Sequence, residues 1–380
     1  MKKLDALIIG CCEELTVPLL EVLSLSGYKI DCISKSKRLC FDKNINNFYY
    51  VKTDQDLLQT SCEVSKKHHF NLIALSDDNT IKLIKDSKLL ISYKEKFLPV
   101  VNQKYFGHLA SKIGLSKALK EFKIRTPDFA VINSNSDILY NLKLIHFPFI
   151  LKGDYSGGGS QTIEVNNQSE LKKIMKEFNY FPALMQKKIE GDLIGIEALF
   201  LDGKLVHFSY SNILKTMSNN RFSPSVVREY SQLGILDEEV FQEINSLGVA
   251  LGINGFVNIS CIKSCLDNRH YYFEADVRPT TWLGYTKYFG DNLGFRLKNY
   301  LKQRVPLTYP VQIDVNYPLK VILPYHLRLT TFELLTNRYS VWKYIPKNKV
   351  IFFLLIKKCI LRPIESFLTL RPLRRRFFTT

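Results

Sequence analysis

The segment between Phe147 and Val165 constrains the fold most strongly, because it places a glycine-rich loop between two short apolar runs. The first run ends on Lys152, and the second run resumes at Ile163. Glycine reaches backbone angles that are closed to other residues, so the pattern predicts a strand, a flexible loop and a returning strand. The loop from Ser156 to Ser160 can turn its N–H groups toward a phosphate, with Lys152 as a point charge beside them.

This loop is not a Walker motif, since no Gly-Lys-Ser/Thr triplet follows the glycines and no helical pattern opens there. A glycine-rich hairpin with an unrelated lysine is an equally good interpretation of the segment taken alone. Motifs elsewhere in the chain are needed to choose between a phosphate-binding loop and a simple hairpin.

The chain is large enough for two or three domains with their own cores, at 380 residues and 44.1 kDa. A hydrophobic content of 46% argues against a disordered protein. No apolar run approaches the roughly 20 residues that cross a bilayer, and the apolar stretch near Met1 is too short for a secretory signal. Eight scattered cysteines indicate neither a zinc module nor a disulfide framework. These features predict a globular, reduced, cytoplasmic protein.

The first hundred residues alternate strand-like and helix-like patterns, which predicts a small parallel sheet with helices on its faces. The predicted elements are a strand at Leu4–Gly10, a helix at Leu15–Ser26 closed by Gly27, a strand at Tyr28–Ser34 and a strand at Phe70–Ser76. Asp77 and Asp78 follow the third strand, at the edge where ligands bind such sheets. A solvated turn is the alternative for these two acids. The dinucleotide glycine pattern is missing after Gly10, which disfavours a nicotinamide fold.

The middle of the chain predicts a mixture of helices and antiparallel strands. The predicted helices are residues 102–123, 136–144, 169–178 with Ser169 as N-cap, and 237–251. The predicted hairpins join residues 194–200 to 205–210 across Asp202-Gly203, and residues 255–262 to 271–279. The polar stretch from Asn212 to Ser225 has no clear period and is predicted to be a mobile loop.

Four motifs stand in a fixed order: Lys112, Lys152 with its glycine loop, the segment Gln186–Ile189, and Glu274-Ala-Asp276-Val-Arg278. This order is similar to that of the ATP-grasp superfamily, of the carboxylate–amine or carboxylate–thiol ligase type that includes carbamoyl-phosphate synthase. The resemblance covers roughly Leu4 to Leu301. It implies an ATP-grasp fold of the α/β class, α+β in its central part. The implied division is an N-terminal α/β domain at residues 1–105, an ATP-grasp domain at 106–305 with a lid at about 128–185, and a basic extension at 306–380.

The resemblance implies that the chain binds ATP through side chains and backbone groups from all four motifs. Lys112 and Lys152 match phosphate-binding lysines, and Gln186, Lys187 and Ile189 match the hinge that presents backbone groups to adenine. Leu193 replaces the glutamate that many members use to bind ribose, so Asp192 or Glu197 is expected to supply that contact. The predicted nucleotide-binding residues are Lys112, Lys152, Ser156, Gly157, Gly158, Gly159, Ser160, Gln186, Lys187, Ile189 and Glu197.

Glu274 and Asp276 match the family's ligands for Mg²⁺ or Mn²⁺. Alternate residues of one strand point to the same face, so both carboxylates can reach one metal cluster. Ser260 stands where an acid or glutamine often holds the first metal, so Asn258 is the expected replacement. Paired acids on a solvated strand face are the alternative.

Three basic residues are predicted to be catalytic: Arg278, Lys152 and Arg228. Arg278 matches the arginine that steadies the transferred phosphoryl group. Arg228 follows the predicted mobile loop, where a guanidinium could capture a substrate carboxylate. A surface arginine paired with Glu229 is the alternative for Arg228.

The implied reaction activates a carboxylate as an acyl phosphate, which an amine or similar nucleophile then attacks. The expected partners are small-molecule acids and amines and no specific nucleic acid, and a homodimer is compatible with the resemblance. A degenerate, non-catalytic ATP-binding or scaffold protein remains an alternative, because Leu193 and Ser260 depart from the family pattern.

The last forty residues need a separate explanation, because they carry ten Lys or Arg and one acid, Glu365, out of a chain charge of +17. The apolar run Val350–Ile356 is too short to span a bilayer, but apolar residues beside clustered cations suit an anionic membrane surface. A C-terminal helix packed on the body, with a solvated basic end, is the alternative.

Overall fold

The structure is a computed structural model that describes residues 4–217, 222–231, 238–285, 287, 291–309 and 319–322. Most of the predicted basic extension, including Val350–Ile356, lies outside the described residues. Within these ranges, no helix is long and apolar enough to cross a membrane. The predicted α/β class is confirmed, since one parallel and two antiparallel sheets are combined with nine α-helices and two 3-10 helices in the described part.

The first hundred residues form the parallel sheet that their alternating pattern predicts. Its elements are β1 (Leu4–Ile9), α1 (Glu13–Leu25), β2 (Tyr28–Ser34), β3 (Ile45–Tyr50), α2 (Asp54–Lys67), β4 (Leu72–Leu75), α3 (Asp78–Asp86) and α4 (Ile91–Phe97). The strand order is β3-β2-β1-β4, and every pairing is parallel. β1 and β4 therefore end at the same edge of the sheet, where α1 and α3 begin.

A small antiparallel sheet follows, with the glycine-rich loop between two of its strands. Its elements are α5 (Lys112–Glu121), β5 (Phe129–Ile132), α6 (Asn135–Asn141), β6 (Phe149–Gly153), β7 (Thr162–Val165), α7 (Gln168–Glu177) and β8 (Ala183–Lys187). The strand order is β5-β8-β6-β7. The predicted strand, loop and returning strand are thus β6, the glycine loop and β7.

A larger antiparallel sheet is built from the second half of the chain. Its elements are β9 (Gly191–Leu201), β10 (Lys204–Thr216), β11 (Ser225–Tyr230), α8 (Glu238–Ala250), β12 (Gly255–Ser264), β13 (His270–Asp276), α9 (Leu293–Gln303) and β14 (Leu319–Ile322). The strand order is β13-β12-β9-β10-β11-β14. Both predicted hairpins are present, as β9–β10 and β12–β13.

The buried apolar residues form three clusters, and two of them are shared between sheets. Two clusters mix residues of the parallel sheet with residues of the large sheet; Leu7 and Ile259, for example, belong to the same cluster and are both fully buried. The small sheet has a third core of its own, whose buried members lie between Ile132 and Met185. The small sheet therefore shares little apolar surface with the rest, which suits an element that moves as a unit.

Three local predictions are wrong. Helix α7 is capped by Asn167 rather than Ser169, because the Asn167 side chain accepts the N–H of Glu170 at 3.0 Å. The predicted helix at 102–123 is broken into a 3-10 turn and α5, since Ala110 has a positive φ of 51° and Ser111 caps a new helix. The predicted loop 212–225 is strand at its start and at its end, because β10 continues to Thr216 and β11 begins at Ser225; residues 218–221 lie outside the described part.

Candidate active site

A cavity of about 340 Å³ lies between the small and the large antiparallel sheets. Its size is typical of a small-ligand site. It is lined by most of the residues predicted from the sequence: Lys112, Lys152, Ser156, Gly158, Gly159, Gln186, Lys187, Ile189, Arg228, Asn258, Glu274, Asp276 and Arg278. The lining does not include Gly157, Ser160 or Glu197. Their predicted roles, like those of the lining residues, stay predictions.

Lys152 is held at the end of β6 and is buried, with 7% of its surface exposed. Its ammonium group donates to Oε1 of Gln186 at 2.7 Å and lies 4.5 Å from the centroid of the Phe273 ring. Burial lowers the pKa of Lys152 to about 8; the charge of Glu274 opposes this shift, and that of Lys112 adds to it. A buried cation with a lowered pKa is suited to binding an anion that enters the cavity.

Lys112 begins helix α5 and reaches the glycine loop. Its ammonium group donates to the carbonyl oxygen of Ser156 and lies 3.1 Å from the hydroxyl of the same residue. Asp154 fixes this arrangement, because its carboxylate accepts the hydroxyl of Ser111 at 2.9 Å and the N–H of Ile113 at 2.8 Å. Hydrogen bonds therefore join the start of α5 to Asp154 and Ser156, where the glycine loop begins. Asp154 was not singled out from the sequence.

The glycine loop needs glycine at two positions, since Gly158 and Gly159 have φ angles of 59° and 75°. A Cβ atom at Gly159 would lie 2.4 Å from the carbonyl oxygen of Phe222, whereas a Cβ at Gly157 would meet nothing within 4 Å. Gly159 thus lets the loop pack against the backbone just before β11. The loop covers the cavity from the side of the small sheet.

The hinge after β8 combines a polar end with apolar walls. Gln186 is 2% exposed, and its Nε2 is a buried donor without a partner among the described groups. The N–H of Lys187 donates to the carbonyl oxygen of Asp128 at 2.8 Å, so it is occupied. Apolar side chains of Ile150, Ile189, Leu193 and Ile262 line the same cavity. A planar base with a hydrogen-bond acceptor fits these surroundings, which supports the predicted nucleotide site.

The candidate metal ligands share one face of the large sheet because the strands are in register. Asn258 pairs with Asp276, and Ser260 pairs with Glu274. A β-bulge follows, since Cys261 pairs with Tyr272 and Phe273 is left as the extra residue. Both Phe273 and Glu274 line the cavity.

The chemistry of these side chains fits a divalent cation. Oδ1 of Asn258 is buried and has no hydrogen-bond partner among the described groups. Burial raises the pKa of Asp276 to about 6; Arg278 opposes this shift, and Glu274 adds to it. Two crowded carboxylates and an unsatisfied amide oxygen are the hard ligands that Mg²⁺ and Mn²⁺ prefer. Among the described residues, no group of three or more His, Cys, Asp or Glu side chains could hold a metal ion. A metal site here would therefore need the amide oxygen of Asn258 as a ligand beside the two carboxylates.

Arg278 lies between two carboxylates. Its Nε donates to Oδ2 of Asp78 at 2.6 Å, and its Nη2 donates to Oδ2 of Asp276 at 2.8 Å. Asp78 does not line the cavity but reaches Arg278 from α3. Asp77 is instead the N-cap of α3 and is 5% exposed. The interpretation as a solvated turn is therefore wrong for Asp77, whereas the Asp78 side chain is 41% exposed and is paired with Arg278.

Arg228 belongs to a buried network on β9, β10 and β11. It is 4% exposed, so the alternative of a surface arginine is wrong. Its Nη1 donates to Oε1 of Glu197, and Oε2 of Glu197 accepts the hydroxyl of Ser209 at 2.7 Å. Its Nε donates to Ser225 at 2.9 Å, and its guanidinium lies 4.8 Å from the centroid of the Trp282 ring. Both carboxylate oxygens of Glu197 are thus engaged, and Glu197 does not line the cavity.

Several lining residues were missed by the sequence reasoning: Phe222, Ser223, Thr280, Thr281 and Trp282. One signal could have identified Trp282, because it is one of two tryptophans in the chain and follows Arg278 by four positions. The indole N–H donates to the hydroxyl of Ser225 at 3.1 Å, which ties the segment after β13 to β11.

Comparison with known proteins agrees with this fold. Residues 109–282 match the model of the ATP-grasp domain, a range that contains all four sequence motifs. The chain therefore carries an ATP-grasp domain, and the resemblance that its motifs indicated is confirmed. No curated protein sequence matches the chain.

Solved structures of low sequence identity share the overall fold. N5-carboxyaminoimidazole synthetase from Staphylococcus aureus, complexed with ADP, is 16% identical, with a TM-score of 0.67 over 88% of this chain and 87% of that chain. L-amino acid ligase from Bacillus licheniformis is 17% identical, with a TM-score of 0.57 over 81% and 79%. The biotin carboxylase domain dimer of 2-oxoglutarate carboxylase from Hydrogenobacter thermophilus is 14% identical, with a TM-score of 0.61 over 84% and 74%.

Proposed function

We propose that the chain is an ATP-dependent ligase that activates a carboxylate as an acyl phosphate for attack by an amine or similar nucleophile. One observation carries the proposal: two buried or partly buried lysines, a glycine loop, an acidic pair and an arginine, drawn from helix α5 and from both antiparallel sheets, line the same cavity. The fold is shared with ligases and carboxylases, and the synthetase from S. aureus and the carboxylase domain from H. thermophilus were crystallised with ADP or MgADP. Those ligands support ATP as the nucleotide of this chain.

In the proposed first step, an oxygen of the substrate carboxylate attacks the γ-phosphorus of ATP. An O–P bond forms, the bond between the γ-phosphorus and the β–γ bridging oxygen breaks, and ADP leaves. Lys152, Lys112 and the N–H groups of the glycine loop bind the phosphates and balance their negative charge. Arg278 is directed at the transferred phosphoryl group.

In the second step the amine attacks the acyl carbon, the C–O bond to phosphate breaks, and the amine loses a proton. Phosphate and the new amide are the products. Glu274, Asp276 and Asn258 would hold Mg²⁺ or Mn²⁺, which when bound neutralises phosphate charge. The chain's own contribution is to orient the reactants and to exclude water from the acyl phosphate.

We also propose the domain division that the sequence predicts: residues 1–105, 106–305 with a lid at about 128–185, and 306–380. The separate core of the small sheet supports the lid, because it lets that sheet move without opening the other two cores. The packing of Gly159 against Phe222 is a contact that such a closure would make.

The test is a panel of carboxylic acids supplied with ATP, Mg²⁺ and hydroxylamine. Hydroxylamine traps an acyl phosphate as a hydroxamate, so ADP and hydroxamate should appear together for the correct acid. Glu274→Gln should abolish both products, and the control Glu164→Gln, which removes only a partly exposed pair with Lys188, should keep them.

A non-catalytic nucleotide-binding protein is the second candidate, favoured by the apolar Leu193 and by Ser260 in the cavity lining. ADP binding without ADP formation for any acid in the panel would support that candidate and contradict the ligase.

A further inference from the structure

We propose that Asp78 is a positioning residue that holds the guanidinium of Arg278 in the orientation needed for phosphoryl transfer. The inference rests on the proposed function, because it assigns to Asp78 a role in the same reaction. It goes beyond that function by giving helix α3, which follows strand β4 of the parallel sheet, a role at the reacting site.

Asp78 is itself held in place by its neighbour Asp77. One oxygen of Asp77 accepts the N–H of Thr80 at 2.9 Å, and the other accepts the N–H of Cys11 at 2.7 Å. The first turn of α3 is therefore tied to the loop that follows β1. This leaves Asp78 as the first residue of α3, where its carboxylate accepts the Nε–H of Arg278 at 2.6 Å. Its position is determined by backbone contacts and not by Arg278 alone.

Arg278 is anchored on three sides. Besides Asp78 at Nε and Asp276 at Nη2, its Nη1 donates to the carbonyl oxygen of Pro279 at 3.2 Å. A guanidinium has five N–H groups in one plane, so these bonds leave two N–H groups for a ligand. Asp78 and Asp276 bind different edges of the guanidinium, so together they fix the orientation of its plane and its rotation within that plane. The side chain is 15% exposed, which leaves it access to the cavity that it lines.

The two carboxylates cannot replace one another. Asp276 is a candidate metal ligand and neighbours Glu274 and Asn258, so its charge is shared among several groups. Asp78 comes from a separate element, 200 residues earlier in the chain, and forms an ion pair with Arg278. Without Asp78, Arg278 would be drawn toward the acidic pair by Asp276 alone. The orientation of Arg278 then depends on Asp78.

Helix α3 also contacts Tyr155, the residue that precedes the glycine loop. Lys82 and Lys85 of α3 lie 4.5 Å and 5.4 Å from the centroid of the Tyr155 ring. Helix α3 therefore contacts both the loop that covers the phosphates and the arginine that faces them. These contacts support a role of the parallel sheet in aligning the two.

Asp78→Asn tests the proposal because it keeps the shape of the side chain and removes its charge. We expect kcat for acid-dependent ADP formation to fall about 10- to 100-fold, with the KM for MgATP changed less than threefold. Asp86→Asn is the matched control: it lies on the same helix and pairs with the exposed Lys82. That control should retain the parent kcat.

A double-mutant cycle shows whether Asp78 acts through Arg278. In the Arg278→Lys background, Asp78→Asn should cause little further loss of kcat. An equal loss in both backgrounds, or a parental kcat in Asp78→Asn itself, would overturn the proposal.

The proposal stays testable if no acid supports ADP formation. ADP with beryllium fluoride mimics the γ-phosphoryl group, and its affinity relative to ADP alone reports on the groups that face the phosphoryl group. The parent and Asp86→Asn should bind the mimic more tightly than ADP, and Asp78→Asn should lose most of that difference. An unchanged ratio in Asp78→Asn would refute the positioning role, whereas absence of acid-dependent ADP formation would refute only the ligase.

Discussion

The ammonium group of Lys152 and the amide oxygen of Gln186 lie 2.7 Å apart, on neighbouring strands of the small sheet. The amide oxygen of Gln186 accepts this bond, and the buried N–H₂ group of the same amide has no partner among the described groups. One contact thus directs a cation and a neutral donor into the same cavity.

Nucleotide affinity should depend on the charge of Lys152. Lys152→Met keeps the packing on Phe273 but removes a charge-assisted contact, so ADP binding at pH 7 should weaken by about 2 kcal/mol, or about thirtyfold. Isothermal titration calorimetry measures this change. Lys172→Met, at an exposed lysine of α7 that does not line the cavity, is the control.

The pH dependence of binding follows from the lowered pKa of Lys152, which is about 8. The amine is charged below this pH and neutral above it, so ADP affinity should fall about tenfold between pH 7 and pH 9. Lys152→Met has no charge to lose and should bind with nearly constant affinity over that range. A parent affinity that is flat from pH 7 to 9 would contradict the assignment of Lys152 to the phosphates.

Turnover should require Glu274, whereas nucleotide binding should not. Glu274→Gln keeps the size of the side chain but removes a hard anionic oxygen, so ADP formation should fall at least about a hundredfold. ADP binding measured with EDTA present should change less than threefold. Metal-dependent tightening of ADP binding that survives in Glu274→Gln would show that this residue is not a ligand.

Removing Arg228 should cost stability before it affects binding, because Glu197 would stay buried without its partner. Arg228→Met should lower the free energy of unfolding by about 3–5 kcal/mol, and adding Glu197→Gln should recover much of that loss. Urea denaturation measures both. Compared with Glu197→Gln alone, the double variant should have a KM for the acid that is raised about tenfold and an unchanged KM for ATP, if Arg228 captures the substrate carboxylate. A parental KM for the acid would exclude that role.

Two neighbouring glycines should differ in their tolerance of a methyl group. Gly159→Ala places a side chain at a φ of 75° and a Cβ 2.4 Å from the carbonyl oxygen of Phe222, so the loop can no longer pack as it does. We expect at least a tenfold loss of kcat for ADP formation. Gly157→Ala meets no atom within 4 Å and should stay within about twofold of the parent. Equal effects of the two substitutions would contradict a specific closure at Gly159.

Local pattern accounts for much of the fold and for the residues that lie on single motifs. The apolar run before Lys152 and the alternation around Glu274 were sufficient to place both on strands. The N-terminal sheet was only partly predicted: β3 was missed because its sequence, Ile45-Asn-Asn-Phe-Tyr-Tyr, is too polar for a buried-strand pattern.

The partnerships within the site could not be predicted in the same way. Asp78 and Arg278 are 200 residues apart, and Glu197 and Arg228 are 31 apart on different strands. Which acid meets which arginine depends on the packing of the sheets and on strand register, and neither leaves a periodic signal in the sequence. The cap at Asn167 was missed for a smaller reason, because Asn167 and Ser169 are both good N-caps two positions apart.

The β-bulge at Phe273 has a consequence for how sequences of this fold are aligned and engineered. In an unbroken strand, neighbours face opposite ways, and Phe273 and Glu274 could not both line the cavity. The bulge adds one residue to β13 but none to β12, so hairpin length alone does not predict which residues reach the metal side. A deletion that restored perfect alternation would look conservative in an alignment and would detach Phe273 from Lys152. By contrast, insertions at the tip of the hairpin, where Leu266 is 91% exposed, lengthen the turn and leave every pairing intact.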